Sequence, residues 1–422
     1  MNSKWIHRSI LTAAAAGALA LSACGGSDSG PADPGDDGSA KPGHVYNYAG
    51  TGAPGYGRVG QAPAKTELYW PQDVVFSPDG SPFVLDWNNH RVIAVDKATG
   101  QFELIVGVAG GDFGDPCPAG GACTDVLATD AKLNHPTHVA FDANGDMVLC
   151  AWHNSMLMLL DMSTGLMDRF CGTGARSYNG EDRPASTALV DLPVAVVFDA
   201  EGRLYFGDQA NMVIRMIDEA GIIHTVAGTQ PVGTPQPDGS VKYTSQPGFS
   251  GDEGPATEAK LRFESGQLAD PSGKICFDGT GNLYIADTQN HCVRMVDAGG
   301  IIHRFAGVGP SDAGFSGDDG PATSAQLNEP RDVAADANGN IFIADTGNHL
   351  IRMVRPDGTI TTVAGKFRGV SASPLGPYEV RAEDGAAARD IRLTSPFGVA
   401  VDDQGRLWIS DTLNSVVRIL YR

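Results

Sequence analysis

The sequence predicts an all-β protein in which six four-stranded antiparallel sheets close into a ring. Three observations lead to this prediction. A unit of four short apolar runs recurs six times after residue 43, turn-forming residues separate the runs, and the sixth unit lacks a fourth run that stands instead near the N-terminus. Short apolar runs bounded by turn residues are typical of strands, and strands joined by tight turns form antiparallel meanders.

The unit is clearest over residues 327–365, where the apolar runs are residues 333–336, 341–344, 350–354 and 360–363. Turn-forming residues follow the first three runs: Asn338 with Gly339, Gly347 with Asn348, and Pro356 with Asp357 and Gly358. Residues 341–343 are consecutively apolar, which indicates a strand covered on both faces. Because one sheet cannot cover both of its own faces, the unit needs copies packed on either side.

The copies are found by a short phrase that ends in glycine. It falls at Gly50, Gly107, Gly172, Gly228, Gly307 and Gly365, and the bodies of the units begin near Leu68, Leu133, Leu189, Leu268, Leu327 and Leu393. The sixth body has three apolar runs and stops at Arg422, whereas residues 44–50 match the fourth run of a complete unit. The two ends are therefore predicted to close the last blade between them, making residues 44–422 a six-bladed β-propeller.

Two phrases, ADTGNHLIRMV at residues 344–354 and ADTQNHCVRMV at residues 286–296, resemble the repeat of bacterial NHL-repeat proteins. The resemblance covers residues 44–422. It implies a six-bladed propeller that binds proteins or other ligands through one face, and it implies lyase and lactonase relatives in neighbouring propeller families. Because propellers host many unrelated activities, the resemblance determines architecture more closely than function.

Residues 1–23 are predicted to be a secretory signal peptide, since Lys4, His7 and Arg8 precede an apolar run too short to span a bilayer. Residues 21–24 resemble the lipobox of bacterial lipoproteins, which implies a lipid on Cys24; the alternative is ordinary cleavage beside an incidental cysteine. Residue 25 is not aspartate, so in a Gram-negative source the resemblance implies the outer membrane or cell surface. Residues 24–43 contain no large apolar side chain and are predicted to form a flexible tether.

The chain carries 30 basic and 50 acidic residues, a formal net charge of -20 at pH 7. This acidic balance disfavours nucleic acid and anionic membrane surfaces as partners, so membrane contact is expected through the lipid anchor only.

The cysteines suit an exported chain. Cys117 and Cys123 flank a five-residue loop and are predicted to form a local disulfide. Cys150, Cys171, Cys276 and Cys292 take strand positions that hold small or apolar residues in other units, and they are interpreted as buried free thiols.

Residues that recur in most units are interpreted as structural, because a ligand touches one site whereas every blade needs the same devices. A turn asparagine recurs at Asn89, Asn154, Asn211, Asn290, Asn348 and Asn414, and tolerance of left-handed φ explains it. An Asp–Arg pair recurs as Asp208 with Arg215, Asp287 with Arg294, Asp345 with Arg352 and Asp411 with Arg418. The second unit has Ala151 and Met158 instead; the first keeps Asp86 but has Ile93, so turn amides are expected to satisfy Asp86. His90, His291 and His349 in the same turns are also interpreted as structural.

The candidate site comes from positions at which the units differ. Close to the proline that opens each first strand stand four ionisable residues, which are predicted to ring the mouth of the central channel: Asp73, His138, Lys274 and Asp332, with Arg331 adjacent. On the same face Trp87 and Trp152 replace the usual turn threonine, and His153 follows. Aromatic and polar residues together suit a ligand pocket. The alternative is that the ionisable groups pair with one another around a wet channel.

Three long insertions, residues 110–132, 229–260 and 367–392, are predicted to lie on this face, where loops on a rigid scaffold carry function. The phrases GDEGP at residues 251–255 and GDDGP at residues 317–321 lack the alternating ligand spacing of a calcium loop. They are interpreted as the start of a short helix at proline.

Two functions remain open, and the sequence favours the first. One is a lipid-anchored extracytoplasmic scaffold that binds a protein, peptide or glycan through its loop face without a cofactor. The other is a metal-dependent lyase or lactonase-like hydrolase, with Ca²⁺ or Zn²⁺ held by His138, Asp73 and Asp332. A three-histidine zinc site is not supported, because His135 directly precedes Pro136 and His153 lies on a turn. No nucleophile elbow, phosphate loop or zinc helix motif appears in the sequence.

Overall fold

The computed structural model describes residues 39–117, 123–266, 268–369 and 384–422. Over these residues the chain is an all-β six-bladed propeller, as the sequence predicted. The first strands of successive blades contact one another in a closed cycle, so they surround the centre of the ring. The predicted signal peptide, Cys24 and most of the tether lie outside the described residues.

In the described part of the chain, no helix has the length and apolar character needed to cross a membrane.

Each blade is an antiparallel sheet; in blades 1 to 5 the four main strands follow one another outward from the centre in chain order. Blade 1 consists of Pro71–Phe76, Pro82–Asp86, Arg91–Asp96 and Gln101–Val106. Blade 2 consists of Pro136–Phe141, Met147–Ala151, Met156–Asp161 and Leu166–Cys171. Blade 3 consists of Pro193–Phe198, Leu204–Asp208, Val213–Ile217 and Ile222–Ala227. Blade 4 consists of Ile275–Phe277, Leu283–Asp287, Cys292–Val296 and Ile301–Ala306.

Blades 5 and 6 follow the same plan. Blade 5 consists of Pro330–Ala335, Ile341–Asp345, Leu350–Val354 and Thr359–Ala364. Blade 6 consists of Pro396–Val401, Leu407–Asp411, Val416–Leu420 and the N-terminal strand His44–Ala49. Val45 lies opposite Leu420 in that last pairing, which is consistent with the predicted closure of the ring by the N-terminus.

Two-residue strands and short 3-10 helices are added to the four-stranded blades. Two-residue strands lie outside the fourth strands of blades 2 to 6, at Val126–Leu127, Arg183–Pro184, Gly254–Pro255, Gly320–Pro321 and Ala386–Ala387. Short 3-10 helices occupy the turns after the second strands, at Trp87–Asn89, Gln209–Asn211, Thr288–Asn290, Thr346–Asn348 and Thr412–Asn414. Others lie between blades, at Pro63–Lys65, Ala128–Asp130, Ala185–Thr187, Ala256–Glu258 and Ala322–Ser324.

The core lies between the blades. All five residues of Ile341–Asp345 are buried, as its consecutive apolar residues predicted. Side chains of neighbouring blades meet directly: the ring centroids of Phe83 and Phe141 lie 4.9 Å apart between blades 1 and 2, and those of Tyr205 and Phe277 lie 5.0 Å apart between blades 3 and 4. Each blade therefore covers a face of the next, which explains the need for repetition.

The fourth unit begins at Leu261, so the predicted start near Leu268 is wrong. Leu261 and Leu327 are both fully buried, whereas Leu268 is 98% exposed. Nine residues separate Leu261 from Pro271, but only two separate Leu327 from Pro330. Blade 4 therefore carries an insertion immediately before its first strand. We call residues 262–266 and 268–271 the channel loop.

The recurrent Asp–Arg pairs are buried ion pairs, as their structural interpretation expected. In blade 5, Arg352 Nη1 lies 3.4 Å from Asp345 Oδ2, and both side chains are fully buried. Asp345 Oδ1 accepts the backbone N–H of Asn328 at 2.8 Å, which ties the approach to the first strand to the second strand. Arg352 also contacts Asp318 at 2.8 Å, so the aspartate of the GDDGP phrase serves the strand arginine.

The expectation that turn amides alone satisfy Asp86 is wrong. Arg91, directly opposite Asp86 in the strand register, donates from Nε to Asp86 Oδ2 at 2.8 Å. Arg91 and Ile93 are two residues apart and share a face of their strand, so the arginine has moved along the strand without leaving that face. In blade 2, which lacks the aspartate, Asn154 Oδ1 accepts the N–H of Asn134 at 2.8 Å instead.

Left-handed φ is also the wrong explanation for the recurrent turn asparagine. The left-handed residue is the one after it, such as His349 with φ of 59°. Asn348 is retained for its side chain, which donates to Asp345 Oδ2 at 2.8 Å and to the carbonyl of Gly314 at 2.7 Å. His349 Nδ1 in turn accepts the N–H of Ser395 in the next blade at 2.9 Å, so the turn histidines join blades.

The cysteines behave as their pattern predicted. Cys117 and Cys123 are bonded, with their Sγ atoms 2.01 Å apart. Four other cysteines of the described residues are free thiols; Cys150, Cys171 and Cys292 are buried and Cys276 is half-buried.

Candidate functional site on the turn face

The turns after the second strands and the starts of the first strands lie at the same end of the ring, which we call the turn face. Backbone bonds across it show this arrangement: the N–H of Asn88 donates to the carbonyl of Tyr69, and that of Gly347 donates to the carbonyl of Asn328. In blades 5 and 6 the first residue of the turn joins its blade to the next one. Thr346 donates its hydroxyl hydrogen to the Pro396 carbonyl at 2.7 Å in this way.

Trp87 and Trp152 occupy this joining position in blades 1 and 2. The Trp87 ring lies 4.4 Å from that of His135 at the start of blade 2, and Trp87 is only 7% exposed. Trp152 is fully buried and donates its Nε1–H to Gln209 Oε1 at 3.1 Å. At this position the two indoles replace the threonine hydrogen bond between blades with aromatic packing. They are buried beneath the other aromatic side chains at this part of the turn face, which we call the aromatic sector, and they do not line an open pocket.

The accessible part of this sector consists of other residues. Tyr69 and Phe113 are 36% and 57% exposed, and Trp70, His135 and His153 are half-buried. His135 and His153 approach each other with their Nδ1 atoms 2.9 Å apart. Desolvation lowers the pKa of His135 to about 3 and that of His153 to about 4, so both imidazoles are neutral at pH 7. The repeat pattern did not predict Tyr69, Trp70, Phe113 and His135 as members of this surface.

The four ionisable residues predicted at the channel mouth do meet: Asp73, Lys274 and Asp332 are buried and bonded to one another, and His138 lies half-buried beside them. Lys274 Nζ lies 2.5 Å from Asp73 Oδ2 and 3.2 Å from Asp332 Oδ2. His138 Nε2 lies 3.6 Å from Asp73 Oδ2. The backbone carbonyls of Gln72 and Phe397 also accept from Lys274, at 3.3 and 3.4 Å. We call Asp73, His138, Lys274 and Asp332 the ion cluster; it matches the alternative in which these groups pair among themselves.

The charges of the ion cluster follow from its burial. Desolvation raises the pKa of Asp73, and raises that of Asp332 to about 6, against the opposing attraction of Lys274. Burial alone would lower the pKa of Lys274, but the two carboxylates outweigh it and raise that pKa. Desolvation and Lys274 lower the pKa of His138 to about 3. An ammonium group thus stands between the carboxylates, where a metal ion would have to be held.

Across the described ranges, no three His, Cys, Asp or Glu side chains are grouped in a way that could hold a metal ion.

The channel loop bridges blades 3 and 5 beside the ion cluster. Gln209 Nε2 donates to the carbonyls of Glu264 and Asp270 at 3.1 and 2.9 Å. From the other side, Arg331 donates to the Pro271 carbonyl at 2.8 Å and to Glu264 Oε1 at 2.5 Å. Arg331, predicted as a ligand residue, is 4% exposed and lies over the Phe397 ring at 4.5 Å. The Arg331 side chain therefore anchors the channel loop. In the sequence, the length of the insertion before Pro271 is the signal that this loop exists.

The structure describes only part of the three long insertions. Within residues 229–260, Val232–Pro235 and Val241–Thr244 form a separate two-stranded hairpin whose Tyr243 ring lies 5.2 Å from that of Tyr178. The disulfide lies in the insertion at residues 110–132, where Phe113 packs 4.7 Å from the His90 ring on the turn face. Most of the insertion at residues 367–392 lies outside the described residues.

The fold, the recurrent turns and the asymmetric face define an NHL-type β-propeller. The family described as the teneurin NHL domain matches residues 57–245 and 306–381, which is more than half of the sequence. The chain belongs to this family.

Two curated relatives and one solved structure illustrate the similarity. Teneurin-1 of Homo sapiens is 24% identical over 375 residues, covering 84% of this chain and 12% of that protein. NHL repeat-containing protein 2 of Gallus gallus is 26% identical over 368 residues, covering 84% of this chain and 46% of that protein. The chain thus spans less than half the length of either relative. A crystal structure described as an auxiliary nutrient binding protein from Bacteroides ovatus has a TM-score of 0.56 at 16% identity, covering 89% of this chain and 76% of that one; it shares the fold.

Proposed function

We propose that this protein is a lipid-anchored extracytoplasmic scaffold that binds a protein, peptide or glycan on its turn face. One observation carries the proposal: the departures from the repeat collect on that face. Blades 1 and 2 exchange the joining threonine for tryptophan and expose aromatic side chains beside it, and blade 4 adds the channel loop. A ring built from repeated structural pairs needs none of these features, and exposed aromatic residues beside polar groups are typical of ligand sites.

The face, rather than the channel, is the surface that we propose for binding. The ion cluster is bonded internally, and the channel loop is held across it by Gln209 and Arg331. A ligand approaching along the ring axis from this side would meet the loop and the aromatic sector before any buried charge. The solved structure described as nutrient binding shares only the fold. Its description suggests ligands to test but does not identify the ligand of this protein.

The binding proposal is tested by screening the labelled protein on glycan and random-peptide arrays. We expect saturable binding to a restricted set of probes, and we expect Tyr69→Ala with Phe113→Ala to weaken it at least tenfold, because these exposed rings would lose their contact area. Leu127→Ala with Met162→Ala at the opposite end of blade 2, where the exposed fractions are 46% and 37%, is the matched control and should leave binding unchanged. Binding that ignores the Tyr69 and Phe113 changes would contradict the proposal.

The lipid anchor rests on residues 21–24 alone, and a Cys24→Ser variant of the full chain tests it. We expect the variant to move from the detergent-extractable membrane fraction to the soluble fraction while keeping its fold. A variant that stays in the membrane fraction would refute anchoring through this cysteine. An outer-membrane or surface location is part of the same proposal for a Gram-negative source.

The metal-dependent lyase or lactonase-like alternative has no observation in its favour. Asp73 and Asp332 are already bonded to Lys274, and a cation bound between them would have to displace the ammonium group. Elemental analysis of the dialysed protein separates the two functions: stoichiometric Ca²⁺ or Zn²⁺ that disappears in Asp73→Asn would support the enzyme.

A further inference from the structure

We infer that the ligand of the turn face is a basic protein segment in which lysine or arginine alternates with large apolar side chains. This inference rests on the proposed binding function and specifies the chemistry of its ligand. It follows from one arrangement on the face: exposed apolar side chains and poorly compensated carboxylates both lie at this end of the ring.

The apolar half lies on blades 1 and 2 and on the tip of the channel loop. Tyr69, Phe113 and Leu268 are 36%, 57% and 98% exposed. Leu268 is the most exposed large apolar side chain among the described residues. Neither the ion cluster nor the blade cores require a leucine in this position. Exposed large apolar side chains are a typical feature of interaction surfaces.

The acidic half surrounds Arg331. Glu264, Asp270 and Glu329 approach its Nη2 atom at 2.5, 3.5 and 3.6 Å, so three carboxylates share one guanidinium group. Glu264 is committed to the protein, since it also accepts the N–H of Asp270 at 2.9 Å. The contacts of Asp270 and Glu329 to Arg331 are long, and their side chains are 48% and 37% exposed.

The electrostatics of Asp270 agree with this geometry. Burial raises its pKa, Arg331 lowers it, and Glu264 and Glu329 raise it further, because the three negative charges repel one another. Removing that repulsion requires additional positive charge near Asp270 and Glu329. A cationic side chain of a ligand would supply it.

A chain of contacts connects the two halves. The Trp70 and Trp87 ring centroids lie 6.2 Å apart, and those of Trp87 and Trp152 lie 6.0 Å apart. Trp152 donates to Gln209, which donates in turn to the carbonyls of Glu264 and Asp270. Ala269 of the channel loop packs in the same cluster as the two buried tryptophans. The apolar and acidic residues of the turn face therefore lie over one connected layer of buried side chains.

A basic apolar segment complements both halves, whereas other macromolecules do not. Nucleic acid and anionic lipid would be repelled by these carboxylates and by the net charge of -20. A neutral glycan would stack on the aromatic side chains but would leave Asp270 and Glu329 without a counter-charge. The −20 net charge would also steer a cationic partner toward the protein.

The inference is tested with three synthetic peptides of equal length and the full-chain protein. The first peptide alternates lysine with leucine and tyrosine, the second replaces each lysine with glutamate, and the third keeps lysine but replaces the apolar residues with serine. Fluorescence anisotropy should show saturable binding of the first peptide, at least tenfold tighter than either of the others. Raising NaCl from about 0.15 to about 0.5 M should weaken that binding, because exposed charge pairs are screened.

Two variants locate the binding. Asp270→Asn with Glu329→Gln should weaken the first peptide about tenfold, given the strength of exposed charge pairs, and Leu268→Ser should weaken it without changing the salt dependence. Glu219→Gln with Asp403→Asn is the control, because it removes the same net charge from exposed turns at the opposite end of the ring. That control should bind as the wild type does.

The outcomes separate this inference from the proposed function. Equal binding of the lysine and glutamate peptides, or an equal loss in the control variant, would overturn the basic-segment inference. If array binding to a neutral glycan depends on Tyr69 and Phe113 while all three peptides fail, the binding function stands and the inference falls. If no probe depends on the turn face, both fall.

Discussion

Replacing Lys274 with methionine should destabilise the protein by about 3–5 kcal/mol at pH 7, the usual cost of removing one partner from a buried ion pair. The side chains of Lys274, Asp73 and Asp332 are 2%, 3% and 6% exposed. Methionine fills similar volume but supplies no charge, so the two carboxylates of the ion cluster would lose the ammonium group that lies between them. The free energy of unfolding is measured by chemical denaturation followed by tryptophan fluorescence.

The pH dependence makes this prediction specific. In the variant the folded-state pKa values of Asp73 and Asp332 rise still further above the ordinary value, since Lys274 no longer opposes desolvation. A carboxyl group whose pKa is raised by folding contributes stability at low pH and loses it as the pH rises through the folded-state pKa. The deficit of Lys274→Met should therefore shrink between pH 7 and pH 5, by about 1.4 kcal/mol per pH unit for each additional proton bound.

Two further variants complete the test. Adding Asp73→Asn and Asp332→Asn to Lys274→Met should restore most of the stability, because a fully neutral set leaves no uncompensated charge. Lys242→Met on the exposed hairpin is the control and should change the free energy of unfolding by less than about 0.5 kcal/mol. A loss below about 1 kcal/mol in Lys274→Met, or a loss that is the same at pH 5 and pH 7, would show that the reasoning about the ion cluster is wrong.

Three other predictions concern the ring as a whole. A chain starting at residue 50 should be less stable by about 4 kcal/mol than one starting at residue 40, because it loses buried Val45 and Tyr48 from blade 6, and calorimetry that shows equal melting temperatures would refute ring closure. Cys150 and Cys171 should resist a thiol reagent until the protein unfolds, since both are fully buried; rapid labelling of the native protein would contradict this. Because desolvation lowers the pKa of His135 to about 3 from an ordinary value near 6.5, it contributes stability above pH 6.5 that is lost as the pH falls toward 3. The stability of His135→Asn should accordingly fall less steeply from pH 6.5 to pH 4 than that of the wild type.

Most of the fold could be predicted from the sequence because strand periodicity and turn chemistry are local. Residues 341–343 indicate a doubly covered strand whatever surrounds them, and the run at residues 44–50 is recognisable as a missing fourth strand by its match to the others. The fourth unit was harder, because leucines at two positions fit the same pattern. Only burial distinguishes Leu261, at 0%, from Leu268, at 98%.

For the recurrent residues, the local sequence predicted a structural role correctly but did not predict the partners of each side chain. The sequence identified Asn348 as structural but assigned it the wrong cause, because the left-handed conformation belongs to His349. Asp86 was expected to rely on turn amides, since Arg91 stands two positions before the usual arginine. Both errors arise because a side chain's partner depends on which segments the fold brings beside it.

In the candidate site, too, some features were determined by the sequence and others by the tertiary structure. The sequence alone determined which residues depart from the repeat: Asp73, His138, Lys274 and Asp332 near the channel, and Trp87 and Trp152 in the turns. The tertiary structure alone decided that Asp73, Lys274 and Asp332 pair internally, that the tryptophans are buried between blades, and that Tyr69, Phe113 and Leu268 are exposed. The physical reason is that identity and spacing are properties of the chain, whereas burial and partnership depend on which blades pack together and on where an insertion such as the channel loop is held.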